Sequence, residues 1–99
     1  MTRANETPLT LYGWLWCPHC HEAAMLLHRH DVPYVPKLME AHAREGKTHA
    51  GEVYRLAGRI AGPTIVFPDG SWLQEPEDDE LLDRLGEHGF IEREAGVPA

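Results

Sequence analysis

Two cysteines stand three positions apart in the segment Trp16-Cys17-Pro18-His19-Cys20-His21. A Cys-x-x-Cys pair can carry electrons through a reversible disulfide, or it can bind a metal through two thiolates. Cys17 directly precedes a glycine-free, helix-forming stretch, Pro18 to Asp31, that has proline in its first turn. The unpaired N–H groups and the positive end of such a helix favour the thiolate. These features predict thiol–disulfide exchange with Cys17 as the nucleophile.

Cys20 is expected to lie behind Cys17 and to resolve the mixed disulfide. It shares the i, i+3, i+4, i+7 spacing of a buried helix face with Ala23, Ala24 and Leu27. An exposed attacking sulfur and a sheltered second sulfur suit the two roles. His19, between the cysteines, can bring a further donor or positive charge to the Cys17 sulfur. Trp14 and Trp16 flank the thiols and can stack on a substrate, although a tryptophan beside a strand end more often packs against the domain.

A c-type haem site is one alternative for the same segment, because Cys17 to His21 matches the Cys-x-x-Cys-His attachment pattern. His21 would be the proximal ligand, and Met25 or Met39 a distal one. A strand directly before the motif is foreign to small cytochromes, which argues against this alternative.

A zinc or other soft-metal site is the second alternative. Cys17 and Cys20 supply two ligands, and His21, His28 or His30 could complete a tetrahedral set. His28 and His30 lie at least two helical turns away on the same helix, too far to share one ion. A metal-binding or metal-handling dithiol protein without redox turnover therefore stays the alternative function. A non-enzymatic binding module is a third possibility, and the intact cysteine pair at the helix start favours catalysis over it.

Short strands must position the cysteines. Leu9 to Tyr12 alternates and ends at Gly13, and Tyr34-Val35 begins a second strand between two prolines. Thr64 to Phe67 and Ser71 to Gln74 flank the turn residues Pro68-Asp69-Gly70, which is the pattern of a hairpin.

Three helices are expected among these strands. The first covers Pro18 to Asp31, and the second covers parts of Ala41 to Gly58, with interruptions near Gly46 and Gly51. The third covers Glu77 to Glu87 and turns Leu81, Leu82 and Leu85 inward. The order β-α-β-α-β-β-α predicts an α/β fold with a small mixed sheet and helices on both faces.

The composition fits one small globular domain: 99 residues, 42% hydrophobic and 25% charged. The net charge of −7 arises entirely from residues 51–99, which carry four basic and eleven acidic side chains. Lysine and arginine side chains bind the phosphates of nucleic acids, and this chain has an excess of acidic residues. Nucleic acid is therefore excluded as the main partner. No apolar run is long enough to span a membrane, and the start of the chain is polar. We expect a cytoplasmic monomer with a flexible N-terminus (residues 1–7), one domain (8–93) and a flexible tail (94–99).

The strand followed by Trp16-Cys17-Pro18-His19-Cys20, with the later segment Gly62-Pro63-Thr64-Ile65-Val66-Phe67-Pro68-Asp69-Gly70, resembles the thioredoxin superfamily. The resemblance covers about residues 8–88 and is greatest to glutaredoxins, and among these to the mycoredoxins. It implies a single-domain thioredoxin-like, glutaredoxin-type fold and a thiol–disulfide oxidoreductase that acts on mixed or protein disulfides. It also implies no tightly bound cofactor and a low-molecular-weight thiol, mycothiol or glutathione, as the electron donor.

The resemblance also implies roles for individual residues. Pro63 would be a cis-proline facing the cysteines, and the backbone of Gly62 would pair with the bound thiol partner. Trp16, Pro18 and His19 would form the active-site loop. The substrate-binding set would be Trp14, Gly62, Pro63, Thr64, Glu75, Pro76 and Asp78.

The chain departs from the family pattern at three places. Gly62 replaces a β-branched residue, Trp14 replaces a lysine common in glutathione-using members, and Glu75-Pro76 replaces two glycines. The last two departures favour mycothiol or a protein disulfide over glutathione. Arg55 and Arg59 can guide an anionic thiol to the site or form salt bridges on a helix. The Pro-His pair between the cysteines resembles that of strongly oxidising periplasmic enzymes, which predicts a potential above the roughly −270 mV of thioredoxin.

Overall fold

The computed structural model describes residues 7–92. The strands are β1 (Leu9–Gly13), β2 (Tyr34–Leu38), β3 (Thr64–Val66) and β4 (Trp72–Gln74). The helices are α1 (Pro18–Arg29), α2 (Gly46–Ala57) and α3 (Asp78–Glu87). The predicted order of elements is confirmed. The termini predicted to be flexible, residues 1–7 and 94–99, lie outside the described residues except for Thr7.

The four strands form one mixed sheet in the order β2-β1-β3-β4. Strand β1 pairs in parallel with β2 and antiparallel with β3, and β3 and β4 form the predicted antiparallel hairpin. Because β1 is central and leads directly to the cysteines, hydrogen bonds on both of its sides hold the start of the loop that carries them.

The two faces of the sheet carry separate hydrophobic clusters. On one face, residues of β1, β3 and β4 pack against α1 and α3; the buried members include Leu9, Leu11, Leu26, Leu27, Ile65, Leu73, Leu81 and Leu85. On the other face, Tyr12 packs with Met39 and with Val53 of α2. This alternation along β1 places helices on both faces, as predicted. In α3, Leu81 and Leu85 are buried and Leu82 is partly buried.

The predicted interruption of the second helix at Gly51 is wrong. Helix α2 begins at Gly46 and continues through Gly51 to Ala57. A mid-helix glycine costs about 1 kcal/mol relative to alanine, and tertiary packing such as that of Val53 offsets such a cost. Gly46 is needed at the start, because a Cβ there would lie 1.6 Å from the carbonyl oxygen of Glu40. The helix ends before Gly58, which adopts a positive φ of 81°.

Among residues 7–92, no helix has the length and apolar character needed to cross a membrane.

Candidate active site

Cys17 caps the N-terminus of α1. Its backbone is extended, with φ −87° and ψ 110°, and Pro18 follows in the first turn. The Cys17 sulfur accepts a hydrogen bond from the backbone N–H of Cys20 at 3.2 Å. In this geometry, the sulfur faces the free N–H groups and the positive end of the helix dipole, as predicted.

The segment before β3 approaches the same sulfur from the opposite side. The Cys17 thiol lies 3.8 Å from the carbonyl oxygen of Gly62, to which it donates. The Gly62–Pro63 peptide bond is cis. Both residues are buried, so the loop packs directly on the thiols.

The two thiols do not differ in exposure as predicted. Each cysteine is only 6% exposed, because Gly62 covers Cys17 on the side opposite the helix. They differ in where they lie. Cys17 lines a cleft of about 370 Å³, whereas Cys20 lines a separate groove of about 310 Å³ between α1 and β2. The prediction that Cys17 is exposed and Cys20 is sheltered is therefore wrong, because both side chains are buried to the same extent.

The chemical state of Cys20 is set by its surroundings. Burial, followed by a hydrogen bond with Cys17, raises the pKa of Cys20 to about 12. The negative charge of Glu75 adds a smaller contribution in the same direction. Gly13 lies so close that a Cβ there would sit 2.8 Å from the Cys20 sulfur. Cys20 is therefore a neutral thiol at physiological pH.

The cleft in front of Cys17, called here the thiol cleft, is built from the β1–α1 loop, the segment before β3 and the end of β4. It is lined by Trp14, Trp16, Cys17, Pro18, His19, Arg59, Ile60, Ala61, Gly62 and Glu75. Trp16 is 67% exposed and stacks on Trp14 with ring centroids 5.1 Å apart. Because the Cys17 sulfur lines this cleft beside two indole rings, the cleft can receive a disulfide-bearing substrate.

No family model matches this chain. It is 32% identical over 77 residues to curated proteins from two strains of Mycobacterium tuberculosis, each bearing a provisional glutaredoxin name; the match spans 78% of this chain and 88% of each relative. The chain belongs to the glutaredoxin family.

Solved glutaredoxins share the fold. The structure from Methanosarcina mazei superposes with a TM-score of 0.71 at 20% identity, covering 87% of this chain and 84% of that one. The structure from Archaeoglobus fulgidus gives 0.67 at 22% identity, covering 76% and 82%. The dithiolic glutaredoxin of Trypanosoma brucei brucei gives 0.63 at 27% identity, covering 87% and 84%. The thioredoxin-like fold predicted from sequence is confirmed.

His19 of this glutaredoxin has a different partner from the one expected. Its Nε2 lies 2.9 Å from the carbonyl oxygen of Pro76. A carbonyl oxygen only accepts hydrogen bonds, so this nitrogen carries a proton and donates. The expected donation by His19 to the Cys17 sulfur is not seen at this nitrogen, which instead ties α1 to the segment before α3.

Four of the seven predicted substrate-binding residues do not line the thiol cleft: Pro63, Thr64, Pro76 and Asp78. Thr64 is fully buried and donates to the Ala61 carbonyl at 2.7 Å, so its side chain shapes the loop. Asp78 is exposed in the first turn of α3, where a carboxylate suits the helix dipole. Pro63 lies beneath the cleft and accepts a hydrogen bond from the Glu75 N–H at 2.8 Å. Trp14, Gly62 and Glu75 do line the cleft, and Pro76 contributes the carbonyl that His19 contacts.

Glu40 was missed by the sequence analysis. It is 7% exposed, and its carboxylate accepts a hydrogen bond from the backbone N–H of Leu15 in the active-site loop. The neighbouring Met39 N–H donates to the Gly13 carbonyl at 2.8 Å. The two residues after β2 thereby hold the loop that precedes Cys17. Position 40 carries no local signal for this role, because an acidic residue after a strand is typical of a solvated turn.

Within the part of the chain that the structure describes, no three or more His, Cys, Asp or Glu side chains are grouped to hold a metal ion.

Proposed function

We propose that this glutaredoxin reduces or exchanges mixed disulfides of a low-molecular-weight thiol, or protein disulfides, through Cys17 and Cys20. The observation that carries the proposal is the asymmetry of the pair. Cys17 lies at the N-terminus of α1 and lines the thiol cleft, whereas Cys20 lies outside the cleft with its pKa raised to about 12. This division supports a nucleophile and a resolving thiol.

The exchange proceeds in two steps. The Cys17 thiolate attacks one sulfur of the substrate disulfide; that bond breaks, and the departing thiolate takes up a proton. Cys20 then loses its proton and attacks the Cys17 sulfur, which forms the Cys17–Cys20 disulfide and releases the second thiol. The substrate gains two electrons and the dithiol loses two. Two molecules of a low-molecular-weight thiol then reduce the Cys17–Cys20 disulfide and are themselves joined in a disulfide.

Cys20 becomes easier to deprotonate at the step that needs it. Two causes of its raised pKa, the hydrogen bond with Cys17 and the charge on Cys17, involve the free Cys17 sulfur. Neither acts in the same way once that sulfur is bound in a mixed disulfide. Formation of the first intermediate therefore favours the second step.

We further propose mycothiol or a protein disulfide, ahead of glutathione, as the reaction partner. Trp14 supplies an aromatic surface in the cleft at a position where glutathione-using members often have lysine. We also propose that the protein is a monomer in the cytoplasm and that it binds neither nucleic acid nor membranes.

The test combines a redox titration with single cysteine variants. We expect a two-electron transition more oxidising than about −270 mV and no stoichiometric metal. Cys17→Ser should abolish exchange, and Cys20→Ser should trap a mixed disulfide or retain activity with a small thiol only. Full activity of Cys17→Ser would overturn the mechanism. The absence of a reversible transition, together with retained zinc or haem, would establish the metal-binding alternatives instead.

A further inference from the structure

Arg59 is the one lysine or arginine among the described residues that line the thiol cleft. Its guanidinium is held from two adjacent positions. Its Nε donates to the Gln74 amide oxygen at 3.1 Å, and its Nη2 donates to the Glu75 carboxylate at 2.6 Å. The Gln74 amide in turn donates to the Arg59 carbonyl at 3.0 Å. The cation is thereby fixed at the edge of the cleft.

Glu75 is fixed just as firmly. Its backbone N–H donates to the Pro63 carbonyl at 2.8 Å, and it adopts a φ of 50°, which is uncommon outside glycine. Its carboxylate also contributes to the raised pKa of Cys20, so its charge is felt at the thiols. Glu75 therefore introduces a negative charge into the cleft at a set position.

The pairing determines the charge that a substrate meets. Arg59 alone would attract the carboxylates of an anionic thiol, but Glu75 cancels that charge. Both side chains are substantially exposed, at 62% and 44%, so the pair adds little to folding stability. The pair instead sets the electrostatic potential that an approaching ligand meets in the cleft.

We propose that Glu75 is a specificity-determining residue that makes the thiol cleft prefer uncharged over anionic thiol partners. The inference rests on the proposed exchange reaction and narrows its substrate class. An uncharged thiol can occupy the cleft without separating Arg59 from Glu75. An anionic thiol has to compete with Glu75 for the same guanidinium and is repelled by the carboxylate that it displaces.

The test uses mixed disulfides of one reporter peptide with two thiols of nearly equal shape, 3-mercaptopropionate and its amide. For each substrate, kcat/KM of the variant is divided by that of the wild type, which cancels the intrinsic reactivity of the thiol. Glu75→Gln should raise kcat/KM about fivefold for the anionic substrate, the size of one unit-charge interaction at about 4 Å in water. The amide substrate should change less than about twofold, because it carries no charge. The gain should fall below about twofold near 1 M salt, where the Debye length is about 3 Å.

Two further variants isolate the effect. Glu77→Gln removes the same charge two residues away, at an exposed position outside the cleft lining, and should leave the ratio unchanged. Adding Arg59→Gln to Glu75→Gln should remove the gain. An unchanged ratio in Glu75→Gln, or an equal gain with both substrates, would overturn the inference. Lack of wild-type activity with both substrates would instead overturn the proposed function.

Discussion

The indole of Trp14 occupies the space beside Gly62 that a side chain at position 62 would need. A Cβ on Gly62 would lie 2.7 Å from Cζ3 of Trp14 and 3.1 Å from the Cys20 sulfur. Trp14 and Gly62 therefore form one packing arrangement, in which the indole leaves room for no side chain at position 62.

Gly62→Val should destabilise the protein by about 1–3 kcal/mol, the usual cost of overpacking a filled site. In a Trp14→Ala background the same substitution should cost less, because the indole that opposes it is gone. Urea unfolding of the four proteins of this double-mutant cycle measures the coupling, expected between about 0.5 and 3 kcal/mol. Equal costs in the two backgrounds would show that the indole does not set the choice of glycine.

The reduced protein should lose stability as the pH rises from 9 toward 12. Cys20 has a pKa of about 12 when folded and a reference value of 9.0, so the folded state holds the proton more strongly over this range. Unfolding free energies of the reduced protein across this range measure the effect. In Cys20→Ser, the unfolding free energy should no longer fall between about pH 9 and pH 10. The loss of stability that begins near pH 10 should persist in this variant, because burial also raises the pKa of Tyr12, from 10.0 to about 12.

Tyr12→Phe should raise the pKa of Glu52. The Tyr12 hydroxyl donates to the Glu52 carboxylate at 2.7 Å and is the largest cause that holds the pKa of this carboxyl below 4.5. A lowered pKa contributes stability above pH 4.5 that is lost as the pH falls through the folded-state value. Titration of the Glu52 carboxyl carbon by NMR reports the pKa directly. Lys37→Met removes a weaker partner at 3.7 Å and should shift it less.

Glu40→Ala should destabilise the protein by about 1–3 kcal/mol, because it leaves the Leu15 N–H without its acceptor. Glu40→Gln retains an oxygen at the same place and is the matched control, which should keep most of the stability. Hydrogen exchange at the Leu15 amide should accelerate in Glu40→Ala and much less in Glu40→Gln. Similar exchange in both variants would mean that the carboxylate does not hold the loop.

Local sequence patterns were sufficient for the order of the elements and for the position of Cys17 at the start of α1. The start of α1 at Pro18 follows from proline and from the residues of the next two turns. The hairpin between β3 and β4 follows from Pro68-Asp69-Gly70. These features depend on residues within a few positions of one another, so they can be recognised without the fold. Gly51 was misjudged because its helical state depends on the packing of α2 against the sheet.

The sequence by itself determined the α/β order, the central place of the Cys-x-x-Cys motif and the site of Cys17 at a helix N-terminus. Only the tertiary structure decided what surrounds the two sulfurs. Glu40 reaches Leu15 across 25 positions, and His19 reaches Pro76 across 57. Capping and periodicity act within one or two turns of chain, whereas burial, the partner of a ring nitrogen and the pairing of Arg59 with Glu75 arise only when distant segments pack together.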